Sequence, residues 1–166
     1  MQKLQAYTDS ARVELAEFVR LHPYPFLVHS GGALRGVDRG QTRGLTVDRM
    51  MVEARVVSPK VSDDFFAGAL RSRDQDNVIT VGLSSTCDLV INDQSLSKQH
   101  AWFECTANGN WRVWDNDSLS GTQVNEKPLE PGTPKIVVTG DKITFGYVEV
   151  MFLTSDAFHR LIRGLL

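Results

Sequence analysis

The chain has 166 residues, is 42% hydrophobic and carries a formal net charge of -2, which suits one globular domain with an appendage and would leave two full domains cramped. No global basic field is present to concentrate nucleic acid or an acidic membrane surface, so neither is an expected partner. The charge is uneven: residues 75–156 hold 5 Lys/Arg against 11 Asp/Glu, a net of -6, and the remainder carries +4.

The first eighteen residues, MQKLQAYTDSARVELAEF, mix charge into every turn and lack the apolar run of a secretory signal. No later stretch reaches a membrane-spanning length. A cytoplasmic location is therefore expected, with Cys87 and Cys105 as buried free thiols rather than a disulfide. Thr8, Asp9 and Ser10 offer N-cap oxygens for a helix running to about Leu21, and Leu15, Phe18 and Val19 form its apolar stripe. Pro23 and Pro25 stop it. Phe26, Leu27 and Val28 read as a short buried segment. The stretch GGALRGVDRGQTRG at 31–44 then reads as a flexible, solvated linker.

From Thr46 the hydrophobic period changes to two: Met50, Val52, Ala54 and Val56 alternate with Met51, Glu53, Arg55 and Val57, as in a half-buried strand. Further strands are expected at 78–81, 89–91, 101–105, 111–114, 122–124, 135–138, 142–145 and 148–153. Glycines punctuate their connections and no helical period supplies the crossovers a parallel sheet needs. The pattern predicts an all-β antiparallel sandwich. Ser155 and Asp156, followed by Phe158, Leu161 and Ile162, predict a short closing helix. The expected organisation is an N-terminal helix and linker over 1–45, the sandwich over 46–154 and the closing helix over 155–166.

From Gly82 to Gly146 the chain resembles the forkhead-associated (FHA) family, in a bacterial, helix-first layout. The resemblance is carried in order and spacing by Gly82, by Cys87-Asp88-Leu89, by Ser97-Lys98-Gln99-His100, by the stretch 115–125, and by Gly140-Asp141 and Phe145-Gly146. It implies a sandwich whose loops at one end bind a phosphothreonine peptide in signalling, without chemistry and without a cofactor. In such domains an Arg after the strand-end Gly, a Ser three residues before the His, and a loop ending in Asn-Gly-Thr hold the phosphate and the peptide backbone. A dianion needs charge-assisted donors at fixed positions, and Arg supplies them best.

Carried onto this sequence, the pattern is incomplete. Leu83 stands where the family usually has Arg. Ser97 is retained, and Lys98 beside it supplies a cation. Ser120 replaces the Asn, and Leu119 precedes it. Phosphopeptide binding is therefore assigned to Ser97, Lys98, Ser120, Leu83 and Leu119, and expected to be weak or lost. Gly82, His100, Gly121, Thr122 and Asn125 are expected to shape the loops. His100 should tie loop backbone, and Ser97 serves equally well as a phosphate contact or as a turn cap. Trp102, Trp111 and Trp114 read as sandwich core or its edge.

Enzyme readings find little support. Ser95-Leu96-Ser97-Lys98 fits the Ser-x-x-Lys pattern of acyl enzymes, but the surroundings read as strand-turn-strand and the partner motifs are missing. His22, His29, His100 and His159 fall at no metal-ligand spacing with Cys87 or Cys105, so no metal and no catalytic residue is expected. Partners are expected to be proteins or peptides, threonine-phosphorylated or plain. A separate reading makes the chain a homo-oligomer through its N-terminal helix, which exposure of Leu15, Phe18 and Val19 would favour.

Overall fold

The computed structural model describes residues 1–3, 7, 9–30, 65–73 and 77–164. In chain order these form β1 (Gln2–Lys3), a 3-10 turn (Ser10–Arg12), α1 (Leu15–Leu21), β2 (Phe26–Ser30), β3 (Phe65–Ala69), β4 (Val78–Gly82), β5 (Leu89–Val90) and β6 (Ala101–Cys105). They continue with β7 (Trp111–Asp115), β8 (Thr122–Val124), β9 (Lys127–Pro128), β10 (Lys135–Val137), β11 (Lys142–Phe145), β12 (Val148–Leu153) and α2 (Ser155–Arg163). The strands make two sheets, in the order β1-β3-β2-β12-β11-β8-β9 and β10-β7-β6-β4-β5. This is the expected sandwich. Among the described residues its one departure from antiparallel pairing is β4 with β5, which run parallel with Val81 opposite Leu89. The cause is local: the Asp88 carboxylate accepts the Thr80 N–H at 2.8 Å, drawing the chain back alongside β4 before β5 begins.

The period-two pattern decides which side chains fill the space between the sheets. Ile79, Val81, Ala101, Phe103, Val113, Ile143, Phe145, Val150 and Phe152 pack there in one cluster. Residues of opposite parity point outward. Trp102 and Trp114 are among them. They face each other across β6 and β7 and stack at 4.1 Å with their planes 4° apart, half-buried on the outer face of the five-stranded sheet. Of the two places expected for them, core or its edge, the core is excluded by this parity, since Phe103 and Val113 take the inward positions. Trp111 does pack against the core cluster.

The other outer face is covered by the helices. Phe26 and Val28 of β2, Met151 and Leu153 of β12, and Phe18, Phe158 and Ile162 of α1 and α2 form a second cluster. Phe26, Leu27 and Val28, expected as a buried segment ahead of a linker, thus lie in a strand that pairs with β12 and β3. The expected N-terminal helix is shorter than its sequence suggests. Asp9 makes no side-chain capping bond, and α1 starts only at Leu15. Phe18 is 1% exposed. The linker at 31–44 and the strand expected at 50–57 lie outside the described residues. Among the described residues no helix is long and apolar enough to cross a membrane.

Candidate functional site

Three connections meet at one end of the sandwich: 83–88 after β4, 91–100 before β6, and 116–121 between β7 and β8. The turn Gly146-Tyr147 between β11 and β12 joins them. Backbone bonds hold the first two together, Leu83 N–H donating to Ser97 O at 3.0 Å and Ser84 N–H to Lys98 O at 2.9 Å. Gly82 is what permits this approach, because a Cβ there would collide with the Lys98 carbonyl. Cys87, fully buried, donates its thiol to the same carbonyl at 3.2 Å.

His100 fastens the second connection to the third. Its Nδ1 accepts the Ser97 N–H at 3.0 Å and its Nε2 donates to Gly121 O at 3.1 Å, which defines a neutral imidazole. Burial holds its pKa below the ordinary value, partly offset by the Gly121 bond and the nearby Asp115 carboxylate. His100→Ala should lower stability by about 1–3 kcal/mol, the cost of stranding buried loop groups, read as a reduced denaturation midpoint. An unchanged midpoint would remove this role.

The third connection is built on Asp115, which is 4% exposed. Its carboxylate accepts Ser118 N–H at 2.9 Å, Ser118 Oγ–H at 2.7 Å and Thr122 Oγ1–H at 2.6 Å. Gly121, at φ 79, takes the left-handed conformation that ends the loop. Thr122 is fully buried, its hydroxyl turned inward to Asp115.

The five residues assigned to peptide binding are thus brought to one end, but their polar atoms are differently engaged. Ser97 Oγ accepts the Leu119 N–H at 3.1 Å, so it links two loops instead of capping its own turn, and its proton remains to donate. Lys98 is exposed and, among the described residues, has no carboxylate partner. Ser120 Oγ–H donates to the Ser95 carbonyl. Leu83 is half-buried against the core cluster. Leu119 is 98% exposed. Asn125 lies at the opposite end of β8, where its side chain bridges Asp141 and the Lys142 N–H.

Three residues that organise this end were given no role in shaping it by the sequence. Asp115 is one. Ser95 is another, its Oγ donating to Asp93 at 2.6 Å and accepting Tyr147 N–H at 3.1 Å. The third is Tyr147, 65% exposed at the tip of the β11–β12 turn. The Asp-x-Ser spacing at 93–95 is the signal of a side-chain turn that could have revealed Ser95.

Residues 79–146 match the family model described as FHA domain. The chain is similar to an oxoglutarate dehydrogenase inhibitor of Corynebacterium efficiens, 35% identical over 91 residues that cover 55% of this chain and 61% of the relative. It is also similar to the glycogen accumulation regulator GarA of Mycolicibacterium smegmatis, 31% identical over 76 residues, 46% of each chain. Among solved structures, the FHA domain of an Arabidopsis thaliana hypothetical protein is 27% identical with a TM-score of 0.48, covering 54% of this chain and 74% of that one. The chain therefore spans about half to three-fifths of the length of these curated relatives. The match to the FHA domain family model runs from β4 through β11 and takes in the three connections that meet around Ser97.

Proposed function

We propose that the chain is a non-catalytic protein-interaction module of phosphorylation-linked signalling that meets its partner with the loop end around Ser97, and that its grip on phosphothreonine is weak. The observation that carries this is Leu83, half-buried on the core where a phosphate-gripping Arg is usual in the family. Ser120 adds to it by directing its hydroxyl to Ser95. What remains for an anion is the Ser97 proton and the Lys98 ammonium, a flexible point charge without the planar fork of Arg. The names of the two curated relatives describe an inhibitor and a regulator, which supports a role in docking on another protein. Two free thiols, Cys87 and Cys105, suit a reducing compartment such as the cytoplasm. For the oligomer reading the helix stripe is divided: Phe18 is buried inside its own chain, whereas Leu15 is 37% exposed.

The test is titration with matched phosphothreonine and threonine peptides at two salt concentrations. The wild-type protein should bind the phosphopeptide weakly and lose it at high salt, since the surrounding -6 of residues 75–156 opposes a dianion. Leu83→Arg should strengthen phosphate-dependent binding by roughly 1.5–3 kcal/mol, the worth of one charge-assisted contact. Ser97→Ala and Lys98→Ala should each abolish the residual discrimination. Micromolar, strongly phosphate-dependent binding by the wild type would refute the proposal.

A further inference from the structure

Two of the large apolar side chains exposed among the described residues stand together at the loop end. Leu119 is 98% exposed and Tyr147 65%. Both rest on one scaffold: the Tyr147 N–H donates to Ser95 Oγ at 3.1 Å, Ser120 Oγ–H donates to the Ser95 carbonyl, and the Leu119 N–H donates to Ser97 Oγ at 3.1 Å. Gly146 closes the junction, since a Cβ there would meet Ser95 Oγ at 2.8 Å and Ser120 Oγ at 2.9 Å. Loop and turn are thereby held side by side with their apolar tips outward, and the core needs neither tip.

The charge of this end favours a particular occupant. Lys98 stands against Asp93, Asp115 and Asp117, a net of -2. Arg73 and Asp88 at the flank offset each other, the guanidinium donating to Ser85 O at 3.2 Å and the Arg73 N–H to the Asp88 carboxylate at 2.8 Å. His100 adds nothing, because both its nitrogens are engaged in the neutral form. Asp117 is exposed two residues before Leu119. An arriving cation is attracted by this arrangement and an arriving dianion is opposed, while an apolar side chain gains by covering Leu119 and Tyr147.

We propose that the loop end engages an unphosphorylated segment of a partner protein, in which an apolar side chain packs on Leu119 and Tyr147 beside a Lys or Arg that faces Asp117. This rests on the reading of the loop end as the binding end, and adds to it the chemistry of the partner and its independence of phosphate. The phosphate contacts of Ser97 and Lys98 are then a minor addition to an apolar contact.

The probe is a pair of synthetic peptide libraries presented to the full chain, one centred on threonine and one on phosphothreonine, degenerate at the flanking positions. Selected peptides are then titrated and mapped by amide chemical shifts. The threonine library should enrich an apolar residue next to Lys or Arg, with shifts concentrated at Leu119 and Tyr147. Leu119→Ser and Tyr147→Ser should each weaken the selected peptides about tenfold without moving the melting temperature, because both side chains are exposed. Asp117→Asn should weaken them severalfold and reduce their salt dependence. Enrichment in the phosphothreonine library alone overturns this inference and leaves the loop end as the binding end. Shifts elsewhere, or no enrichment in either library, overturn both.

Discussion

Phe158→Ala is expected to lower the free energy of unfolding by about 3–5 kcal/mol, the range for deleting a buried aromatic ring whose cavity cannot collapse. Phe158 is fully buried. It stacks on Phe26 of β2 at 3.9 Å and 14°, meets Tyr7 edge-on at 5.1 Å and lies 6.3 Å from Phe18 of α1. One ring thus joins α2, α1 and the outer face of the seven-stranded sheet. His159 beside it donates to Val13 O at 2.8 Å, tying α2 to the segment ahead of α1. The loss should therefore fall on the helical layer, while the cluster between the sheets, with no member in α2, keeps its packing. Hydrogen exchange should show the amides of α1 and α2 opening before those of β6 and β7. A loss under 1 kcal/mol would mean that the helices are not integral to the domain.

How far the sequence spoke depended on the range of the interaction that decided each element. β6, β7, β11 and β12 are legible because large inward residues such as Phe103, Val113, Phe145 and Phe152 alternate with outward ones. β3 reads FFAGA, and its small residues give no period. Its Gly68 is required by packing, since a Cβ would stand 2.5 Å from Leu89 Cδ1, a demand set by a distant strand. The same division runs through the candidate site. Gly82, Ser97, His100 and Gly121 announce themselves by local spacing. The bond of Ser120 to Ser95 spans 25 residues and that of Tyr147 to Ser95 spans 52, so no local pattern reveals them. The choice between core and edge for Trp102 and Trp114 was open for a related reason. A large apolar side chain argues for burial, but their burial comes from each other across β6 and β7.

Asp115→Ala is expected to cost about 3 kcal/mol, because hydrogen bonds to a charged acceptor contribute roughly 1.5–3 kcal/mol each and do not add fully within one network. Three donors, from Ser118 and Thr122, converge on this carboxylate and would be stranded in a site that is 4% exposed. The loop they shape places the Leu119 N–H on Ser97 Oγ, so peptide binding should fall together with stability. Acid should act in two stages. His100 has a lowered pKa from burial. Its neutral form therefore supports the fold above its ordinary value of 6.5, and that support is lost as pH falls from there through the lowered value. Burial pushes the Asp115 carboxyl up, but the bonds from Thr122 and Ser118, with His100 nearby, overcome this and hold it below its ordinary 3.8. Its contribution is complete above that value and disappears as pH drops through the depressed one. The stability gap between wild type and Asp115→Ala should thus hold steady from neutral pH to about pH 5 and close only in stronger acid. The gap between wild type and His100→Ala should begin to close below about pH 6.5. Denaturation midpoints of the three proteins across that range decide the matter: gaps that stay constant down to strong acid would show that neither group is held in the protonation state on which this loop end is built.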